Sequence, residues 1–114
     1  MDAKTHSTDL IGAQELKEKL DRGDDFKLVM VLGEWEYSAK HIPGSVRVST
    51  IGEGLETLDY EDEIVLYDTG PPCPASRMAC RFLKAHGYER VRRFSGGLVE
   101  WESIGYALEG ERVG

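Results

Sequence analysis

Cysteine is scarce in this chain: two residues in 114, too few for a disulfide scaffold or a structural zinc site. Cys73 and Cys80 are also badly placed for each other. On one helix they lie roughly 10 Å apart along the axis at ~1.5 Å per residue, beyond the reach of a disulfide. No apolar run approaches the ~20 residues of a membrane span, so no membrane role is expected. Bases are outnumbered, with 14 Lys and Arg against 21 Asp and Glu, and the net charge is −7. That balance argues against nucleic acid as a partner, because phosphate binding needs a basic face. The first ten residues lack the basic start and apolar core of a signal peptide, which leads to an expectation of a cytoplasmic protein. Repeats and low-complexity tracts are absent.

What is present suffices for one domain with a single core, near the commonest domain size. We expect flexible ends at residues 1–9 and 110–114 and one domain at 10–109. Leu10-Ile11 reads as a short strand. Gly12 then opens a helix, with Glu15 three residues on and Leu16 and Leu20 on one face. Residues 27–32 form a continuous apolar run without alternation, as in a strand covered on both faces. A short helix at 34–40 leads to the turn His41-Ile42-Pro43-Gly44 and a strand at 46–48. Residues 49–62 are acidic and poorly periodic, a loop with one helical turn. Strands at 64–67 and 91–94 bracket a helix at 74–86, with Met78, Ala79, Phe82, Leu83 and His86 on one face. A last helix begins near Leu98 and stops at Gly105. Strands alternating with helices predict an α/β fold, a mainly parallel sheet of about five strands with helices on both faces. Sites in such sheets form beyond the carboxyl ends of strands.

The richest segment runs from Ile64 to Leu83. A buried strand, Ile64-Val65-Leu66-Tyr67, is followed by the loop Asp68-Thr69-Gly70-Pro71-Pro72-Cys73 and a helix opening at Pro74-Ala75-Ser76-Arg77. Cys73 therefore stands at a helix N-terminus, where unsatisfied N–H groups and the macrodipole favour a thiolate over a thiol. Pro74 suits the first helical position because its missing N–H needs no partner. Arg77, one turn into the helix, can hold an anion. Arg77, Arg81, Lys84, Arg90, Arg92 and Arg93 concentrate in the last third of the chain and can create a local positive field, although most such charges simply solubilise exposed faces. Packing alone is the other reading of a small cysteine at a loop–helix junction, and the strand–loop–Cys–helix order favours chemistry. Cys80, within Met78-Ala79-Cys80-Arg81-Phe82-Leu83, is expected to be packed.

Three segments together resemble the rhodanese domain, over about Leu10 to Glu109. Glu36-Tyr37-Ser38-Ala39-Lys40-His41-Ile42-Pro43-Gly44-Ser45 is similar to that family's "EYxxGHIPGA" turn. The loop with Cys73 occupies the place of its active-site loop. Phe94-Ser95-Gly96-Gly97-Leu98-Val99-Glu100-Trp101, with Gly105-Tyr106-Ala107-Leu108, is similar to its closing "GGxxxWxxxGYPL" segment. The resemblance implies a sulfurtransferase that needs no metal or organic cofactor. A cysteine thiolate takes the outer sulfur of a thiosulfate-like anion, becomes a persulfide, and passes the sulfur to a thiol or cyanide. On this chain the resemblance assigns the nucleophile to Cys73 and donor binding to Pro74, Ala75, Ser76 and Arg77. The partners implied are a small anionic sulfur donor and a thiol acceptor, with a protein partner as a further expectation.

The chain departs from the family twice. The usual nucleophile directly follows the strand, and here that position is Asp68. Cys73 comes five residues later, in a loop that reads about two residues longer than the common form. The family's "DVR" falls on Met30-Val31-Leu32. A carboxylate cannot carry a persulfide, so either Cys73 has taken over or the domain is a catalytically silent module that binds or regulates a partner. Asp68 is a candidate accessory base, or else closes the loop through backbone N–H groups. His41 reads as a structural residue bonding loop backbone. Trp35 and Trp101 read as core or near-surface packing, and Ser76 as a shared cap of the helix. A phosphatase-type loop needs Cys-x5-Arg, and the sixth residue after Cys73 is Ala79, which discounts that chemistry.

Overall fold

The two most apolar runs of the chain become the two inner strands of a parallel sheet. In a computed structural model describing residues 10–31, 34–47 and 58–111, the elements are α1 (Ala13–Arg22), β1 (Lys27–Met30), α2 (Glu34–Ala39), β2 (Val46–Arg47), β3 (Ile64–Tyr67), α3 (Ala75–Ala85), β4 (Val91–Phe94) and α4 (Gly97–Ile104). The strand order is β2-β1-β3-β4 and every pairing is parallel. Val29 lies between Val46 and Leu66, and Tyr67 between Met30 and Phe94. Residues 1–9, 32–33, 48–57 and 112–114 lie outside the described set. The expected flexible first nine residues lie there, as does most of the expected loop with a helical turn at 49–62, of which 58–62 are described and form a turn without helix.

Alternation along the inner strands divides the core in two. Leu28, Met30, Val65, Tyr67 and Phe94 point to one face, where Leu16 of α1 and Leu98 and Trp101 of α4 cover them. Val29, Ile64, Leu66 and Val91 point to the other, under Ala79, Cys80 and Leu83 of α3 with Leu58 and Tyr88. Both faces are dry, which is why the sequence of these strands shows no polar alternation. Each fully buried aliphatic side chain contributes about 1.5–3 kcal/mol relative to exposure.

Several expectations are corrected here. The described sheet has four strands rather than about five. Leu10 makes one parallel bridge with Arg93, and the Ile11 N–H donates to Arg93 O at 2.9 Å before Gly12 turns into α1. Glu15 makes no capping box, since Gly12 has no side chain to reciprocate; it pairs instead with Arg92 at 3.2 Å. Helix α3 begins one residue after Pro74, which serves as its N-cap and makes no side-chain cap bond of its own. Its buried face is Ser76, Ala79, Cys80 and Leu83, so Met78 and His86 face outward, contrary to the expected stripe. Trp101 is buried in the core, whereas Trp35 is 70% exposed.

Candidate active site

The site grows from the carboxyl end of β3. Tyr67 ends the strand with its ring fully buried, and its hydroxyl meets the turn after α2. It accepts the Ile42 N–H at 3.0 Å and lies 2.9 Å from Ser45 Oγ, which donates to Ile42 O at 2.7 Å. Burial pushes the Tyr67 hydroxyl up to about 12, so it stays protonated. His41 stacks on Tyr37 with ring centroids 3.9 Å apart, and its Nδ1–H donates to Tyr37 O at 2.8 Å. The imidazole thus holds loop backbone, as the sequence suggested.

Asp68 follows directly after the strand and is 1% exposed. A buried carboxylate needs donors, and the loop supplies them. Oδ1 accepts the Gly70 N–H at 3.1 Å, and Oδ2 accepts the Ser76 N–H at 2.8 Å, in the first turn of α3. Asp68 therefore caps α3 from outside the helix and draws the loop into a ring around its own charge. With both oxygens occupied and solvent excluded, loop closure is the role this geometry supports; a general base would need an open approach.

The loop is clamped from its other side by the Gly96-Gly97 turn. Leu98 N–H donates to Asp68 O at 3.1 Å and Val99 N–H to Thr69 O at 2.9 Å. Gly97 sits at φ +63°, and a Cβ there would lie 2.4 Å from Asp68 O and 2.7 Å from Gly70 N. Only glycine permits that approach. The Gly-Gly pair is legible in the sequence, but what it presses against is not.

Cys73 is half-buried on this loop, and its N–H donates to Gly70 O at 2.9 Å, closing a tight turn before Pro74. The donor-binding residues named from the resemblance separate. Arg77 and Pro74 are exposed, and Ala75 is half-buried. Ser76 is fully buried: its amide is committed to Asp68, and its Oγ lies 3.5 Å from the Arg93 guanidinium. It is thus part of the loop's internal frame rather than an open contact for a ligand, because Asp68 already occupies its amide. Arg93, from β4, reads in the sequence only as part of a basic cluster; spacing gives no sign that β4 brings it beside Ser76. Neither cysteine is in a disulfide. Among the described residues no three His, Cys, Asp or Glu side chains are grouped to hold a metal, and no helix is long and apolar enough to cross a membrane.

Comparisons with known proteins agree with this architecture. The family model "Rhodanese-like domain" matches residues 12–104. The chain is 31% identical over 97 residues to the Bacillus subtilis protein named "Putative sulfurtransferase YtwF", covering 81% of this chain and 88% of that protein. It is 33% identical over 109 residues to "HTH-type transcriptional regulator Rv0324" of Mycobacterium tuberculosis, covering 93% of this chain but only 47% of that protein. It therefore spans about half the length of the mycobacterial relative. Among solved structures, the BH2092 protein of Bacillus halodurans superposes with a TM-score of 0.87 over 96% of this chain and 82% of that one, at 21% identity, a likeness of fold. The Alr3790 protein of Anabaena sp. superposes with a TM-score of 0.80 at 27% identity, covering 90% of this chain and 94% of that one. The chain, with its parallel sheet, clamped loop and family match over most of its length, belongs to the rhodanese-like domain family.

Proposed function

We propose that this domain is a sulfurtransferase or persulfide carrier in which Cys73 holds the sulfur and Asp68 is a fixed internal anion replacing the usual first cysteine of a long-loop site. The observation carrying this reading is the pairing of a buried carboxylate at the usual position with a half-buried thiol on the same clamped loop. Rhodanese-like relatives named for sulfur transfer support the reaction class. The working unit on this reading is residues 10–109, in a reducing cytoplasm, with no metal or organic cofactor.

The chemistry balances without any further redox reagent. Cys73 thiolate attacks the outer sulfur of thiosulfate, the new S–S bond forms as the old one breaks, and sulfite leaves with its electron pair. Cyanide or a thiolate then attacks the outer sulfur of the persulfide, and Cys73 regains its thiolate. Exposed Arg77 neutralises part of the donor's charge, and Ala75 at the helix start offers backbone to it. Thiosulfate:cyanide turnover tests the reading. Cys73→Ser abolishes turnover and Cys80→Ser, at a packed thiol, retains it; turnover that survives Cys73→Ser rules the assignment out.

A second reading has an observation of its own. Asp68 fills the usual nucleophile position and satisfies the loop internally, as a silent binding or regulatory module would need. No turnover and no persulfide with several donors would favour it.

A further inference from the structure

Most cations described in this acidic chain are matched by carboxylates of the same fold. Lys19 meets Glu63 at 2.7 Å, Lys40 meets Glu102 at 2.9 Å and Arg92 meets Glu15 at 3.2 Å. Arg77 and Arg81 break that pattern. They are exposed one turn apart on α3, about 6 Å along its axis, and neither meets a carboxylate among the described residues. Two like charges at that spacing repel one another, so packing within the domain does not account for them.

Apolar side chains are exposed on both helices that flank the loop. Met78, 60% exposed, is next to Arg77 on the outward side of α3. Val99, 58% exposed, reaches across from α4 to the nucleophile loop, where a Cβ on Gly70 would be 3.4 Å from its Cγ2. Gly70 in turn holds the Cys73 N–H. Arg77, Met78 and Arg81 thus line the outward side of the helix that follows the loop carrying the proposed nucleophile, while Val99 reaches that loop from the other face of the sheet.

We infer that the outward side of α3 docks an acidic protein segment that carries the acceptor thiol. The inference rests on the reading of Cys73 as the sulfur carrier. A cationic patch on a chain of net charge −7 attracts a carboxylate-bearing partner, and rim charges of this kind govern encounter and selectivity. An extended segment rises about 3.3–3.6 Å per residue, so acidic residues two or three positions from a cysteine can meet Arg77 and Arg81. Met78, exposed between the two arginines, calls for contact area that a small free thiol does not have. In the transfer step the acceptor thiolate attacks the outer sulfur of the Cys73 persulfide. The acceptor S–S bond forms, the Cys73 S–S bond breaks, and its electron pair returns to Cys73.

Fluorescence polarisation with labelled peptides tests the inference on the intact chain. Each peptide has serine in place of the acceptor cysteine, flanked by Asp and Glu, by Gln, or by Lys. The acidic peptide binds about tenfold tighter than the neutral one at low ionic strength, an advantage that shrinks as screening tightens to about 8 Å at physiological salt. Arg81→Glu removes that advantage and Arg81→Lys restores it. Equal binding of acidic and neutral peptides overturns the inference, as does an acidic preference untouched by Arg81→Glu. Sedimentation showing a dimer that Arg81→Glu converts to monomer overturns it too, in favour of a second copy. These peptides carry no thiol, so acidic binding by a chain without sulfur turnover upholds the docking face and sinks only the sulfur reading.

Discussion

Asp68 is the residue on which the account of this site turns. Its charge is buried and tolerated because two amides, Gly70 and Ser76, donate to it. Truncation by Asp68→Ala leaves both donors without a partner inside the protein, and each such loss costs about 1–3 kcal/mol. We expect Asp68→Ala to lower unfolding free energy by roughly 2–4 kcal/mol in urea titrations, with an unchanged m-value. A cost under about 0.5 kcal/mol would mean that the loop is not held by this carboxylate. The same cradle suits a sulfur anion. In a Cys73→Ser background, Asp68→Cys should acquire a persulfide on treatment with thiosulfate, read as a mass gain of one sulfur atom. Gly97 is the second residue without an alternative. Alanine there meets Asp68 O at 2.4 Å in a left-handed backbone conformation, so Gly97→Ala should cost on the order of 3 kcal/mol by chemical denaturation.

At the scale of elements, the sequence made the order of strands and helices plain because the apolar runs and the turn residues agree. Residues 27–30 and 64–67 announce inner strands, and Gly23 and Gly105 end α1 and α4 at positive φ. The faces of α3 were less legible. Its apolar residues nearly encircle the helix, so periodicity found Ala79 and Leu83 but added Met78 and His86, whereas packing under Val29, Leu66 and Val91 buries Cys80 instead. The candidate site was legible only as a location. Its key bond, Asp68 to Ser76 N–H across eight positions, depends on loop closure that no local pattern encodes. The link from β3 to the turn at residues 41–45 was hidden for the same reason. Tyr67 carries that link, and its pH dependence is predictable. The folded protein holds the phenolic proton more tightly than an unfolded chain, whose tyrosines titrate near ~10. Its contribution is therefore intact below about pH 10 and lost as pH rises towards the folded value of about 12. Tyr67→Phe should cost about 1–3 kcal/mol at neutral pH by leaving the Ile42 N–H unpaired, and should flatten the alkaline loss of stability.

For the whole molecule, two dry faces on one small sheet give a domain whose stability is concentrated in its inner strands. Leu66→Ala, at the centre of β3, should cost about 2–5 kcal/mol through lost burial and the cavity left behind. Because β3 also aims Asp68 and the loop after it, that variant should loosen the site together with the core, giving faster amide exchange at Gly70 and Ser76. The acidic total hides a local asymmetry in which two exposed arginines stand on the helix that follows the proposed sulfur carrier. Intact-protein mass spectrometry after incubation with thiosulfate, on the natural sequence beside Cys73→Ser and Cys80→Ser, tests the central claim most directly. The account predicts a gain of one sulfur atom in the natural sequence and in Cys80→Ser, and none in Cys73→Ser. A gain that persists in Cys73→Ser, or none in any of the three, would contradict it.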